Sequence, residues 1–443
     1  MAQRSDDAPE RAGSSPRLLP LLVLLFIGSG AAALVYEIVW FQMLSLIIGS
    51  SSVSLGVLLA TFMGGMAAGS LGLSRFVSTR PHPLRVYALL EAGIGVLGLV
   101  VLVALPYAGG LYLAIGGPGV AGLLLRAGLC ALCLLPPTVL MGATLPAIAR
   151  WVESTPRGVS WLGFFYGGNI AGAVVGSLLA GFYLLRVYDV VIATLVAAAI
   201  NVAVAAVGFA LARTTSYNGR SPVSTREPER QVSTPAVTAT PESRPRRAPT
   251  RNSELGTRNS PWPVLAAITI SGMTALAAEV VWTRLLTLTL GGTVYTFSLI
   301  LAAFLAGLGM GSGAGAALAR SVRDPRTALG VCQLMLTAGI AWAAFWLTRA
   351  LPYWPIDPWL STGPAFTFQI DFVRCLVTVL PPAMFWGASF PLALAAVAQR
   401  GEDPGRLVGR VYAANTAGAI AGALLASLII VAWAGTQLAQ RIL

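Results

Sequence analysis

Two glutamates stand inside apolar runs long enough to cross a membrane: Glu37 in SGAAALVYEIVWFQMLSLIIG and Glu279 in SGMTALAAEVVWTRLLTLTLG. A carboxylate in hydrocarbon is costly, and by default it marks a functional site. In each run a Trp follows three residues later, Trp40 and Trp282. Ala33, Glu37, Trp40 and Leu44 fall at i, i+4, i+7 and i+11, on one helical face, and Ala275, Glu279, Trp282 and Leu286 repeat the pattern. A negative charge beside an indole face is a combination that holds cations. Glu37 lies 11 residues before Ile48, or about 16 Å at 1.5 Å per residue, near the bilayer midplane. One reading makes the pair a cation or proton site. The other makes each an internal anchor bonded to Gln42, Arg284, Asn169 or Asn415.

The two glutamates occupy the same place in an internal repeat. Residues 29–70 and 271–312 align without a gap at an offset of 242, with 16 of 42 positions identical. Later segments match as well. LLPPTVLMGATLP at 134–146 pairs with VLPPAMFWGASFP at 379–391. Gly163, Tyr166, Asn169, Gly172 and Gly176 pair with Gly409, Tyr412, Asn415, Gly418 and Gly422. Repeated halves with sites at their interface are a mark of transporter folds. The prolines Pro136, Pro137, Pro381 and Pro382 sit mid-helix, where they remove donors and predict a kink or break. The glycines permit close helix approach. Asn169 and Asn415 need partners in lipid and are candidate substrate contacts.

The elements that must carry these residues are membrane helices. Hydrophobic residues make up 56% and charged residues 10%, with mean hydropathy +0.76; a soluble domain carries about 25% charged residues. Apolar stretches near 18–48, 53–74, 84–105, 118–149, 160–185, 189–212, 262–290, 293–319, 327–348, 366–398 and 407–433 predict eleven spans. All 29 basic residues are Arg, and twenty-three of them lie in the tail and loops on one side. The positive-inside rule places that side, and the N-terminus, in the cytoplasm. The net charge of +12 is therefore a topological signal, not a nucleic-acid surface.

This gives a cytoplasmic tail at 1–17, a six-helix half at 18–212, a second half at 262–443, and a linker at 213–261. The linker is rich in Ser, Thr, Pro, Arg and Glu and reads as disordered and cytoplasmic. Six helices before the repeat restarts preserve orientation, so the halves are parallel repeats about an axis along the membrane normal. The N-terminal apolar run is too long for a cleaved signal peptide. Cys130 and Cys133 have CxxC spacing, but no second pair and no nearby His joins them, so they read as small core residues. His82, the only His, reads as a solvated loop residue. No catalytic constellation, metal-ligand set or cofactor loop stands in the sequence.

Taken together, SGxxALxxExVW, the paired PP…GAxxP helices and the GxxYxxNxxGxxxG helix resemble the membrane portion of bacterial fused major-facilitator/spermidine-synthase proteins, over nearly all of residues 20–433. The resemblance implies an all-α, polytopic, major-facilitator-like bundle in the bacterial inner membrane. In that family a twelve-helix bundle precedes, in many members, a soluble aminopropyltransferase-like domain. Here Leu443 corresponds to a position inside the first half's sixth helix, so a twelfth helix and the catalytic domain are not expected. The resemblance points to polyamine chemistry and to two functions. One is a transporter-like module for a cationic metabolite. The other is a membrane anchor or partner for a separate aminopropyltransferase.

Overall fold

The computed structural model describes residues 18–49, 51–76, 81–115, 119–152, 162–215, 260–291, 294–354, 363–398 and 404–443. The tail at 1–17 and residues 216–259 of the linker expected at 213–261 lie outside them, and Arg213 and Thr214 belong to the helix before it. Within the described residues eleven helices are long and apolar enough to cross a membrane. They are α1 (Leu18–Ile48), α2 (Ser51–Phe76), α3 (Pro83–Ile115), α4 (Val120–Val152), α5 (Leu162–Leu179, continued by a π-helical turn Ala180–Leu184), α6 (Val190–Thr214), α7 (Trp262–Leu290), α8 (Val294–Ser321), α9 (Pro325–Phe345), α10 (Pro364–Val397) and α11 (Pro404–Leu424, continued by the π-helical Leu425–Ala434). A short α12, Gly435–Ile442, folds back against α7. The side where α1 begins is called the near side below.

The boundaries have local causes. Asp189 caps α6 by accepting the Ile192 N–H at 2.8 Å, and Asp324 caps α9 by accepting the Arg326 N–H at 3.1 Å. Gly49 and Gly291 are repeat-equivalent and end α1 and α7 with φ of +79° and +103°. Both lie in the positive-φ region that glycine enters without steric cost.

The repeat read in the sequence is a repeat of packing. In the first half α5 lies on α1 and α4 on α2; in the second, α11 lies on α7 and α10 on α8. The motif glycines make these contacts. A side chain at Gly172 or Gly176 would strike the backbone of Ile27 or Ala31, and one at Gly418 or Gly422 the backbone of Thr269 or Met273. Close approach supplies dispersion contacts that lipid tails cannot, and small residues are what permit it. Of the kink or break expected at the prolines, the break does not form: α4 and α10 stay helical through Pro136–Pro137 and Pro381–Pro382. In α10 the reason is visible. Pro381 removes the donor to the Val377 carbonyl, and the Trp342 indole N–H on α9 replaces it at 2.9 Å. Pro382 packs against Gly339 of the same helix.

The halves meet along α2 with α11 and α5 with α8. At these seams Gly56 faces Ser427 and Gly181 faces Ser298. Gly56 is repeat-equivalent to Ser298, and Gly181 to Ser427, so each seam uses the same Gly–Ser pair with the partners exchanged. Toward the far side one buried core runs through both halves, joining Tyr36, Trp40 and Phe62 to Leu276, Val280 and Phe297, beside a second core of the second half alone around Trp282, Leu299 and Cys375. Toward the near side there are two cores instead. One is built around Phe26, Tyr87 and Phe165 of the first half, the other around Ile268, Leu392 and Val411 of the second. The halves are therefore fused at the far side and separately packed at the near side.

Candidate functional site

The two sequence-matched glutamates are both buried, one in each half. Glu37 is 6% exposed and Glu279 3%, and Glu279 lies within electrostatic reach of Glu37. The apolar residues flanking them, Ile38 and Val280, belong to the shared core. Oε1 of Glu279 has no hydrogen-bond partner. The anchors anticipated for the glutamates do not form. Arg284 instead donates to Ser52 Oγ at 3.1 Å, a bond between halves. Oε1 of Gln42 is itself buried without a partner. Among the described residues the one ion pair with a carboxylate is Arg374 with Asp371, at 3.5 Å.

Trp40 and Trp282 are both fully enclosed. Trp40 stacks on Tyr36, with centroids 5.3 Å apart, and its Nε1 has no acceptor. Trp282 packs on Trp386 at 5.5 Å and donates to Gln440 Oε1 of α12 at 2.7 Å. Both indoles are thus held by protein neighbours on the carboxylate-bearing helices. Asn169 and Asn415 lie further toward the near side and pack on α1 and α7, where their backbones meet Gly30 and Gly272. Each is partly exposed. Pro136 is exposed and Pro137 buried; with Pro382 turned to α9, the proline pairs serve helix packing within each half. The motif tyrosines Tyr166 and Tyr412 come within electrostatic reach of each other across the seam. Tyr166 is 49% exposed, so the pair flanks the near side of the seam.

The far side is closed by aromatic rings from both halves. Phe41 lies 4.4 Å from Phe297, and Phe182 lies 4.8 Å from Tyr295 and 4.2 Å from Phe368. Arg126 finishes the far end of α1 by donating to the carbonyls of Ile47 and Ile48 at 2.9 and 3.1 Å.

A third buried carboxylate went unremarked in the sequence. Glu91 of α3 is wholly enclosed. Its Oε1 accepts from Ser29 Oγ of α1 at 2.6 Å, and its Oε2 from Asn201 Nδ2 of α6 at 2.7 Å. The signal was a lone Glu in an apolar run. The repeat does not mark it, because none of the matched segments includes α3. His82 is not simply solvated either. It is half-buried, and its Nε2 donates to Thr215 O at 3.1 Å while Nδ1 accepts the Leu84 N–H at 3.3 Å.

No family model and no curated protein sequence matches the chain. Solved structures do. A bacterial homolog of the human lysosomal transporter Spinster, in an inward-facing and unoccupied conformation, aligns with a TM-score of 0.58 at 14% identity, over 96% of this chain and 84% of that one. The occupied inward-facing form of such a homolog aligns with a TM-score of 0.50 at 15% identity, over 97% and 98%. A bacterial metal transporter aligns with a TM-score of 0.51 at 14% identity, over 97% and 98%. At these identities the likeness establishes the fold: an all-helical, major-facilitator-like membrane bundle shared with transporters.

Proposed function

We propose that this chain is a transporter-type membrane module that binds a small cationic metabolite between its halves, with Glu37 and Glu279 as the counter-charges. The observation that carries the reading is that two enclosed carboxylates, one from each repeat, lie within electrostatic reach of each other, with no basic side chain paired to either among the described residues. Two such carboxylates in a low-dielectric interior call for a cation or a proton. The fused far side and divided near side support access from the near side, which the arginine distribution assigns to the cytoplasm. Polyamines are the substrate class favoured by the motif resemblance. Asn169 and Asn415, with Tyr166 and Tyr412, line the approach, and Trp40 and Trp282 hold the glutamate-bearing helices.

The same resemblance favours a second reading, a membrane partner for a separate aminopropyltransferase without transport. Uptake of labelled putrescine, spermidine and spermine into proteoliposomes separates the two. Saturable uptake that is lost in the Glu37→Gln/Glu279→Gln double variant supports the transporter reading. Absence of uptake and binding across the panel, with co-purification of an aminopropyltransferase, supports the partner reading and removes the role given to the glutamates.

A further inference from the structure

We propose that Glu91 is a proton-binding site within the first half, separate from the Glu37–Glu279 pair, and that its protonation state is passed to that pair along α1. The coupling, though not the proton binding, rests on the transporter reading above. The carboxylate is enclosed by three helices, and both oxygens are held by neutral donors, Ser29 Oγ at 2.6 Å and Asn201 Nδ2 at 2.7 Å. No cation offsets it among the described residues. α1 turns Ser29 and Tyr36 toward it, α3 itself adds Tyr87, and α6 adds Asn201. α4, which also packs on α3, carries Arg126, Cys130 and Cys133 toward the far side, where Arg126 is committed to Ile47 and Ile48. A buried carboxylate without a cation is the membrane-protein setting in which proton relays are built.

Two further observations point to a proton. First, the cluster has unused capacity. Asn201 Oδ1 and Tyr36 Oη are buried without a partner among the described residues, on residues no more than 1% exposed, while Tyr87 Oη comes within hydrogen-bonding reach of the carboxylate itself. Adding a proton to one Glu91 oxygen forms an O–H, neutralises the group, and supplies a donor where Asn201 Oδ1 has none. No other bond need break; the Ser29 and Asn201 bonds pass from charge-assisted to neutral and weaken accordingly. Second, the two Glu91 oxygens are met by neutral side chains from two different helices, α1 and α6, so hydrogen bonds alone hold the carboxylate and a proton can neutralise it in place. Ser29 lies eight residues before Glu37 on α1, about 12 Å along the axis. Loosening the Ser29–Glu91 bond weakens a tie between α3 and the helix that carries Glu37.

Infrared difference spectra of the full chain in lipid, between acid and alkaline buffer, test the binding without a transport substrate. The Glu37→Gln/Glu279→Gln background removes the other membrane carboxylates of the seam. The expected result is a protonated-carboxyl C=O band that is lost on adding Glu91→Gln and moves in frequency in Ser29→Ala, which keeps the carboxylate but removes a donor. Glu91→Gln keeps the shape and much of the hydrogen-bonding capacity of the side chain; Ser29→Ala decides the matter if that variant does not fold. Identical difference spectra with and without these changes would overturn the assignment. So would a band that responds to sodium at fixed pH and not to pH. Because the readout needs neither Glu37 nor Glu279, its success or failure is independent of the polyamine result.

Discussion

Glu37→Gln and Glu279→Gln keep shape and hydrogen-bonding capacity while removing charge. If a cation sits between them, each single variant should weaken its binding by an amount on the scale of a broken buried ion pair, roughly 3–5 kcal/mol. Thermal unfolding should change little, because the carboxylates have no protein cation to lose. Isothermal titration with spermidine on both variants checks this. Unchanged affinity in the double variant would sink the counter-charge role. A second prediction concerns His82, outside the membrane spans. Burial, the largest influence, holds it below its ordinary value of 6.5, and Nδ1 must stay unprotonated to accept the Leu84 N–H. Since the folded form binds the proton less readily than the unfolded form, its contribution is fully present above 6.5 and falls away as pH drops. Thermal midpoints of wild type should decline more steeply below that pH than those of His82→Gln. Parallel curves would show that the ring is not coupled to folding.

At the scale of elements, the glycines divide into two kinds, and the division is testable. Gly172 and Gly418 meet the backbones of Ile27 and Thr269, whereas Gly167 and Gly409 have open space where a side chain would go. Gly172→Ala and Gly418→Ala should destabilise by about 1–3 kcal/mol through overpacking. Gly167→Ala and Gly409→Ala should be neutral or stabilising by up to roughly 1 kcal/mol from helix propensity. Thermal unfolding in detergent of the four variants reads this directly. Equal losses at all four would mean that the motif glycines do something other than pack. The proline pairs teach a related lesson: a helix tolerates them when a neighbour, here Trp342, supplies the missing donor.

For the whole molecule, the far-side seam is the expected moving part. Cysteines placed at Phe41 and Phe297, whose rings lie 4.4 Å apart, should cross-link with a short bifunctional methanethiosulfonate, which leaves reducible disulfides, once Cys130, Cys133, Cys332 and Cys375 are replaced. If the halves rock about the seam, the cross-link should abolish uptake and reduction should restore it. Uptake that persists in the locked chain would remove alternating access at this seam. Orientation has its own check. A cysteine at Ser233, in the linker, should be protected from an impermeant reagent in intact cells.

The sequence by itself determined the class, the eleven spans and the repeat, because hydrocarbon admits few solutions and the repeat prints its helices twice. It also picked out Glu37 and Glu279, since a charge in an apolar run stands out without any structure. Helix packing was legible where glycines recur at three- and four-residue spacing. What the tertiary structure decided is which charges meet. Glu37 and Glu279 lie 242 residues apart in the chain, and the packing of the halves alone puts them within reach of each other. Glu91 acquired meaning from Ser29 and Asn201, partners 62 and 110 residues away. The closure of the far side likewise comes from rings contributed by both halves. A one-dimensional pattern records the cost of a buried group, but the partners that offset that cost are set by the fold.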